Sequence, residues 1–329
     1  MKEKLLVVVF AGLFIILFYA GCAQEGFVRK QAVCPTIPGA SYVGDESCLD
    51  CHEDVVAGFK KTIHGRIADF EVVGVSKGCE SCHGPGSIHA EDEDPASIIS
   101  FEEISKGQAS AVCSECHTSG TLMDWQGSEH SLNDVSCIDC HRAHSRTRRL
   151  LAQPEPKLCN DCHQDIRAKT LYPSHHPIRE GKMVCSDCHQ AHGSFVTNLK
   201  TEERLNDLCF ECHSAKQGPF VFEHEPVVEN CAICHDAHGT VANNLLVQNE
   251  PFLCLQCHQF HFHAGKQSSI GPGWEPAAIT NRYTRSITPT SRHSFRMAYT
   301  TKCTQCHSEV HGSDLPSQSV PSQGGALTR

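Results

Sequence analysis

The sequence predicts a mostly irregular chain with short α-helices and almost no β-sheet. Three observations lead to this fold class. The motif C-x-x-C-H occurs ten times in 329 residues, at intervals of 22 to 49 residues. Twenty of the 22 cysteines belong to these motifs, which leaves Cys22 and Cys34. Aromatic residues make up only 7% of the chain, which is too few for ordinary domain cores of this total length.

The motifs fix twenty cysteines and ten histidines as candidate site residues. The cysteines, in pairs along the chain, are Cys48 and Cys51, Cys79 and Cys82, Cys113 and Cys116, Cys137 and Cys140, Cys159 and Cys162, Cys185 and Cys188, Cys209 and Cys212, Cys231 and Cys234, Cys254 and Cys257, and Cys303 and Cys306. The histidines that follow them are His52, His83, His117, His141, His163, His189, His213, His235, His258 and His307.

The spacing within the motif is that of c-type haem attachment. Two thiols form thioethers with one porphyrin, and the adjacent histidine ligates the iron from one face. Three residues are close to one helical turn, so both sulfurs lie on one side of a short helix. Paired zinc knuckles do not require a histidine after every C-x-x-C, and redox-active disulfides do not explain the histidines either. We therefore expect ten covalently attached c-type haems.

Ten porphyrins supply the apolar bulk that side chains provide elsewhere. The predicted molecule is an elongated multihaem c-type cytochrome in which haems replace the hydrophobic core, with short helices and loops wrapped round them. A division follows from the motifs: residues 22–44 form an N-terminal tether, 45–180 hold haems 1–5, 181–314 hold haems 6–10, and 315–329 form a flexible tail.

The motifs alternate between two kinds, which predicts a fivefold repeat of a two-haem unit. Each unit has an odd motif, a linker histidine, an even motif and a trailing histidine, and the linker and trailing histidines are expected to ligate iron from the distal face. The trailing set is His89, His144, His192, His238 and His311. The linker set is His64, His130, His176, His224 and one residue of the last repeat.

The linker ligand of the last repeat is ambiguous among His261, His263 and His293. The repeat spacing favours His293, ten residues before Cys303. Thirteen histidines lie outside the motifs, so ten distal ligands leave three spare, and His175 is expected to be one of them. Which haem each distal histidine serves stays open at this point.

The N-terminus has the features of a secretory signal, predicted over residues 1–21. Lys2 and Lys4 precede sixteen mostly apolar residues, which are slightly too few for a membrane span. The stretch Tyr-Ala-Gly-Cys before and including Cys22 resembles a lipoprotein cleavage box, which predicts lipidation of Cys22. Ordinary cleavage behind Ala23 is the alternative. The formal charge of −10 argues against a nucleic-acid partner.

Five stretches resemble the MtrA/DmsE family of decahaem cytochromes. They are CESCHGPGSIH at 79–89, NDVSCIDCH at 133–141, SDCHQAHGS at 186–194, EHEPVVENCAICHDAHG at 223–239 and TQCHSEVHGSD at 304–314. The resemblance implies electron carriers with two histidines on each iron and no catalysis. It also implies residence inside a porin-like outer-membrane β-barrel, with periplasmic and outer-surface cytochromes as further partners. It favours His263 as the tenth distal ligand.

The expected function is therefore an electron-transfer conduit between the periplasm and the outer membrane or cell surface, and two alternatives are weighed against it. A soluble or lipid-anchored periplasmic shuttle, or a polymerising cytochrome, would use the same motifs. A multihaem reductase would need at least one iron with an open position, and all ten motifs end in histidine while enough distal histidines exist.

Overall fold

The computed structural model describes residues 32–68, 78–194, 198–200, 204–258, 301–316 and 326–328. Several predictions made from the sequence therefore lie outside the described residues. They concern the signal at residues 1–21, the lipidation of Cys22, and the choice among His261, His263 and His293. The proposed division into haem-binding segments stays a prediction.

Short α-helices carry the described part of the chain, and the longest has 15 residues. That first helix bends at His52, whose φ of −116° and ψ of 39° are not helical. The helices are α1 (Asp45–Phe59), α2 (Ile63–Ala68), α3 (Glu80–His83), α4 (Ser87–Asp92), α5 (Lys106–Ser114), α6 (Glu129–Leu132), α7 (Cys137–Cys140), α8 (Lys157–Asn160), α9 (Gln164–Lys169), α10 (Leu205–Phe210) and α11 (Glu225–Glu229).

Single turns of 3-10 helix fill many of the gaps between these helices. Four of them carry a haem-attachment motif from its first cysteine onward, namely Cys185–Asp187, Cys231–Ile233, Cys254–Gln256 and Cys303–Gln305. The others are Pro95–Ser97, Gly120–Leu122, Trp125–Gly127, Arg148–Leu150, Ser214–Lys216 and Asn243–Leu245.

Extended pairing is limited to five isolated antiparallel bridges within the described residues, and no strand forms there. The bridges join His141 to Leu151, Ser174 to Thr240, His189 to Leu199, Phe222 to Ser313 and His235 to Leu246. The predicted fold class of short helices, irregular chain and almost no sheet is confirmed. No helix of the described segments is both long enough and apolar enough to cross a lipid bilayer.

The apolar core of the described residues is small. Within the described residues the buried apolar side chains are Val56, Phe59, Ile99, Ala109, Val112, Trp125, Leu208, Ala242 and Leu327. A globular domain of ordinary composition buries several times this number of apolar residues. The side chains by themselves leave the fold under-packed, as expected for a chain that wraps large apolar prosthetic groups.

Each motif folds as one helical turn, and this explains its spacing. In nine motifs the backbone N–H of the histidine donates to the carbonyl of the first cysteine, at 2.8 to 3.0 Å. The remaining motif lies inside α1. An i to i+4 hydrogen bond of this kind closes one α-helical turn, so the two thiols and the imidazole emerge from the same turn.

Candidate haem sites

Nine motif histidines each face a second histidine from outside the motifs. The centres of the paired rings are 5.8 to 6.4 Å apart. The pairs, in motif order, are His52–His89, His83–His144, His117–His64, His141–His192, His163–His130, His189–His238, His213–His176, His235–His311 and His258–His224.

These separations fit one metal ion held between two imidazoles. A metal–imidazole bond is about 2.0 Å long and a ring centre lies about 1.2 Å behind its nitrogen, so two rings on opposite sides of a metal have centres about 6 Å apart. Direct stacking of two imidazoles, as of other aromatic rings, would allow centres as close as about 4.5 Å. The observed pairs keep the larger separation in every case, which leaves room for an iron and its porphyrin plane.

The trailing histidines follow a fixed register. Four of them pair with the even motif of the preceding repeat: His144 with His83, for example, and His238 with His189. His89, the trailing histidine of the first repeat, has no preceding repeat and pairs with His52 of its own repeat instead. The register accounts for a question that the sequence left open, namely which motif each trailing histidine faces.

The linker histidines reach in the opposite direction. Each of the four that the structure describes pairs with the odd motif of the following repeat, as His130 does with His163 and His176 with His213. Each interior repeat therefore contributes one histidine to a pair with the preceding repeat and one to a pair with the following repeat. For the last motif, that of His307, the three candidates His261, His263 and His293 lie outside the described residues, so its second histidine stays a prediction.

The imidazole of each even-motif histidine is bonded to a backbone carbonyl. Such a second bond fixes the ring orientation, and when it is made by Nδ1 it directs Nε2 toward a metal. Nδ1 contacts the carbonyl of Ile99 for His83 (2.9 Å), Arg149 for His141 (2.9 Å), Asn244 for His235 (2.8 Å) and Ala326 for His307 (2.5 Å), and His189 bonds to the backbone of Asn198.

Three of these carbonyls come from residues in the left-handed region of the backbone map. The φ angles of Arg149, Asn198 and Asn244 are 57° to 59°. Asparagine adopts this conformation more readily than most residues, because its short side chain can bond locally to the backbone. The left-handed residue turns the returning chain so that its carbonyl faces the imidazole of the motif.

The linker histidines also bond to the backbone, and the partner is the same in each repeat. It is the residue immediately before the trailing histidine of the next repeat. The Nδ1 atoms of His130 and His176 contact the carbonyls of Ala191 and Ala237, both at 2.8 Å and 61 residues away. Consecutive repeats are thus tied together at their distal histidines. The remaining two bonds follow the same rule and join His224 to Val310 at 2.9 Å and His64 to Ala143.

His175, which was expected to be spare, has both ring nitrogens engaged elsewhere. Its Nδ1 bonds to the carbonyl of Tyr172 at 2.5 Å, and its Nε2 lies 3.2 Å from a carboxylate oxygen of Glu180. Among the described histidines outside the motifs it is the one that faces no motif histidine.

Burial favours the neutral form of several of the paired imidazoles. It lowers the pKa of His64, His83, His144, His189, His192 and His311 below the ordinary value, and neighbouring histidines lower the pKa further. The neutral ring is the form that ligates a metal. Desolvation and the neighbouring ring therefore act together to present unprotonated nitrogen at these positions.

The cysteine side chains connect every motif to the next one. Within each repeat the first cysteines of the odd and even motifs interact directly: Cys48 with Cys79, Cys113 with Cys137, Cys159 with Cys185, Cys209 with Cys231 and Cys254 with Cys303. Between repeats the second cysteines lie close enough to interact electrostatically: Cys82 with Cys116, Cys140 with Cys162, Cys188 with Cys212 and Cys234 with Cys257.

Two of the predicted cysteines, Cys51 and Cys306, stand apart from this series. They are the second cysteines of the first and last motifs, and both are exposed. Among the described residues the structure brings neither of them against a cysteine of another motif. Haem attachment at Cys51 and Cys306, as at the other motif cysteines, stays a prediction.

Comparison with known proteins agrees with this geometry. The chain is 35% identical to "Multiheme cytochrome MtrA" of Shewanella baltica over 279 residues, which are 83% of this chain and 80% of that protein. The chain belongs to the MtrA family of multihaem cytochromes. Residues 130–168, 175–218 and 224–261 also match the family model described as "Doubled CXXCH motif". Each match contains an even motif and the odd motif of the following repeat, so the doublet of the family model is offset by one motif from the two-haem unit that the sequence predicts.

Two longer relatives share part of the chain. It is 25% identical to "C-type polyheme cytochrome OmcC" of Geobacter sulfurreducens over 248 residues and 27% identical to "C-type polyheme cytochrome OmcB" of the same organism over 240 residues. Each match covers 62% of this chain and 30% of the relative. Together with the family, these matches identify the chain as a multihaem c-type electron-transfer cytochrome that binds haem c.

Proposed function

We propose that the chain carries ten haems, one on each motif, and conducts electrons between the periplasm and the outer membrane or cell surface inside a porin-like β-barrel. The motif histidines ligate one face of each iron, and the linker and trailing histidines ligate the other. His263 is the proposed tenth distal ligand. A bound haem supplies an iron that alternates between the ferric and ferrous states, with a potential set by its ligands and surroundings.

The observation that carries this proposal is the unbroken succession of motifs. The chain's cysteines hold each attachment point beside the next one, from the first motif to the tenth, with alternating first-cysteine and second-cysteine contacts. A protein that only stores electrons does not need its groups in linear order. A conduit does, because an electron must pass through each carrier in turn.

The histidine pairs support electron transfer rather than substrate reduction at iron. Nine motif histidines already face a second imidazole at a separation that fits a metal. Two histidines per iron leave no position for nitrite, hydroxylamine or a sulfur compound. Hydrogen bonds to the backbone hold one ring of each pair in place, which favours low reorganisation of the ligands when the electron arrives.

The haem count and the ligation are tested on the exported protein. Intact mass is expected to show ten haems, and the EPR spectrum of the fully oxidised protein is expected to contain low-spin signals alone. A mass corresponding to nine or fewer haems in mature protein contradicts the count. Binding of cyanide or nitrite to one iron of the native protein favours the reductase.

The conduit is tested by its partner and its geometry. Pull-down of the native protein from solubilised outer membranes is expected to recover a β-barrel protein. Liposomes that contain the complex and an enclosed electron-accepting dye are expected to bleach on addition of an external reductant, and liposomes with the cytochrome alone are not. Recovery of the cytochrome without a barrel, in the soluble periplasmic fraction, favours a shuttle.

The proposed lipid anchor concerns Cys22. Labelling of cells with a fatty acid is expected to mark the native protein but not the Cys22→Ser variant, which is expected to leave the membrane fraction unless the barrel retains it. Unlabelled native protein with an N-terminus behind Ala23 contradicts lipidation and leaves the conduit itself intact.

A further inference from the structure

A polar side chain reaches the place where the two first cysteines of each repeat meet. It lies three or four residues before the odd motif. In repeats 1, 3 and 5 it is a carboxylate, and one carboxylate oxygen and both sulfurs all lie within 4.8 Å of one another. These three groups are Asp45 with Cys48 and Cys79, Glu155 with Cys159 and Cys185, and Glu250 with Cys254 and Cys303.

Backbone and hydroxyl hydrogen bonds hold each carboxylate against the even motif. Asp45 accepts from the backbone N–H of Cys79 at 2.8 Å. Glu155 accepts from the N–H and the hydroxyl of Ser186, at 2.8 and 2.9 Å. Glu250 accepts from the same two groups of Thr304, at 2.8 and 2.9 Å. The carboxylate caps the first turn of the even motif from a different segment, and it remains anchored when the thiols become thioethers.

Repeats 2 and 4 place an uncharged side chain at the same position. Ser110 accepts from the backbone N–H of Cys137 at 3.3 Å, and Asn206 accepts from that of Cys231 at 2.7 Å. The amide of Asn206 also donates to two backbone carbonyls, at 2.9 and 3.1 Å. An aspartate there would face those carbonyls without a hydrogen to donate, so the neutral residue is required locally.

Within the described residues none of the three carboxylates forms an ion pair with a lysine or an arginine. Arg149 is linked to Glu155 through one hydroxyl, because its guanidinium donates at 3.4 Å to the same Ser186 hydroxyl that donates to Glu155. Glu250 has no comparable cation among the described contacts, so its field on the neighbouring sulfurs is the less compensated of the two glutamates.

We propose that Asp45, Glu155 and Glu250 lower the reduction potentials of the two haems of their own repeat, so that repeats with and without a carboxylate alternate along the chain. The proposal rests on the ten-haem occupancy proposed above. A fixed negative charge at the attachment edge of both porphyrins stabilises the ferric form, which carries one more positive charge than the ferrous form. Repeats 2 and 4 lack this contribution.

The reduction potentials are therefore expected to alternate between repeats and not to change steadily along the chain. The carboxylates disfavour reduction of the haems in repeats 1, 3 and 5, and repeats 2 and 4 lack this contribution. The same residues give each end of the chain the same sign of charge, so they do not by themselves impose a direction on electron flow.

The decisive variant is Glu250→Gln in the full-length holoprotein. Glutamine can keep both hydrogen bonds to Thr304, so the cap remains while the charge is lost. Potentiometric titration followed by EPR and visible spectra is expected to show two of ten haems shifted to higher potential. At the original midpoint of those two haems, the ratio of reduced to oxidised iron is expected to rise at least threefold. Glu155→Gln is expected to give a smaller rise, because Arg149 already offsets part of the charge.

Two controls separate charge from structure. Glu103→Gln removes an exposed carboxylate, so it changes the net charge equally and is expected to move no pair of haems. Asn206→Ser weakens the cap of repeat 4 without changing charge, and it is expected to lower stability and leave the potentials in place. If Asn206→Ser raises two potentials as much as Glu250→Gln does, the effect comes from cap geometry and the proposal is wrong.

Haem content keeps this test separate from the proposed function. Unchanged potentials in both glutamine variants, at ten haems per chain by mass, overturn the tuning role and leave the conduit intact. Fewer than ten haems in the unaltered protein count against the occupancy instead. If Glu250→Gln does not accumulate as folded protein, Glu155→Gln decides the question in its place.

Discussion

The odd and even sites of a repeat hold their proposed iron ligands in opposite ways. At an even site the motif histidine is fixed by a backbone carbonyl, as His235 is by Asn244 at 2.8 Å. At an odd site the distal histidine is the one so fixed, as His176 is by Ala237 at 2.8 Å. The first repeat follows the same rule, since His89 bonds to the carbonyl of Asp94 at 3.0 Å.

The opposite imidazole of each pair is held less firmly. The buried Nδ1 of His192 has no hydrogen-bond partner among the described residues, and that of His238 lies 3.5 Å from a carboxylate oxygen of Asp236. Each of the ten motifs thus has one imidazole oriented by a backbone carbonyl. At odd sites it is the distal histidine, and at even sites it is the motif histidine. One well-oriented ring is enough to define the axis of a metal site, and the second can adapt to it. The alternation also places the repeat-to-repeat bonds on odd sites alone.

The largest effects are expected from removing a distal histidine at each kind of site. His238→Ala, at an even site, and His130→Ala, at an odd site, are each expected to turn one iron high-spin while all haems stay attached, because attachment depends on the cysteines. His130→Ala also removes the bond to Ala191, so its free energy of unfolding is expected to fall by about 1 kcal/mol more. EPR spin counting and chemical denaturation measure the two quantities.

The matched control for both variants is His175→Ala. Its ring is bonded to Tyr172 and Glu180, and all ten irons are expected to remain low-spin. A fully low-spin His238→Ala protein, or a high-spin signal in His175→Ala, contradicts the ligand assignment.

The last even site tests whether the alternation continues to the end of the chain. Its motif histidine, His307, is fixed by the carbonyl of Ala326 at 2.5 Å, as at other even sites. We expect His263→Ala to produce one high-spin iron, and His261→Ala and His293→Ala to produce none, by the same EPR measurement. A high-spin iron in His293→Ala in place of His263→Ala would show that repeat spacing, rather than the family resemblance, identifies this ligand.

A smaller effect is expected from the left-handed residue that serves an even site. Asn244→Val places a β-branched side chain at a φ of 58° and is expected to reduce the free energy of unfolding by about 1–2 kcal/mol. Asn243→Val, at the adjacent exposed position, is the control and is expected to cost much less. Equal losses in the two variants, measured by denaturation, would mean that the conformation at residue 244 is not what supports His235.

The smallest effect is expected at the surface link between an odd and an even motif. Lys106, at the start of α5, lies 3.2 Å from Asp139 of α7, and both side chains are at least a third exposed. Lys106→Met is expected to change the free energy of unfolding by less than about 0.5 kcal/mol, since solvent screens such pairs. A loss of more than about 1 kcal/mol, or of a haem, would give this contact a role that its exposure does not suggest.

The sequence predicted the fold class and the chemistry of this chain because both depend on local patterns. Ten motifs and their alternation can be read directly, and trailing and linker histidines stand out by position. The pairing of the histidines could not be predicted, because paired rings such as those of His130 and His163 belong to different repeats. The bond that orients His130 joins it to the carbonyl of Ala191, 61 residues away. The caps were also missed, because they differ in chemistry and share only their place before an odd motif: Asp45, Ser110, Glu155, Asn206 and Glu250.

The forward and backward reach of the distal histidines has a consequence for how such a chain can change length. An interior repeat receives its proposed distal ligands from both neighbours and gives one to each. A whole repeat inserted between two others would meet complementary neighbours on both sides, whereas one added at either end would leave an iron without its second imidazole. In the first repeat, His89 faces His52 of the same repeat, so this pair needs no histidine from another repeat. Duplication of a repeat is therefore compatible with the middle of the chain, whereas an addition at either end requires a new arrangement of distal histidines.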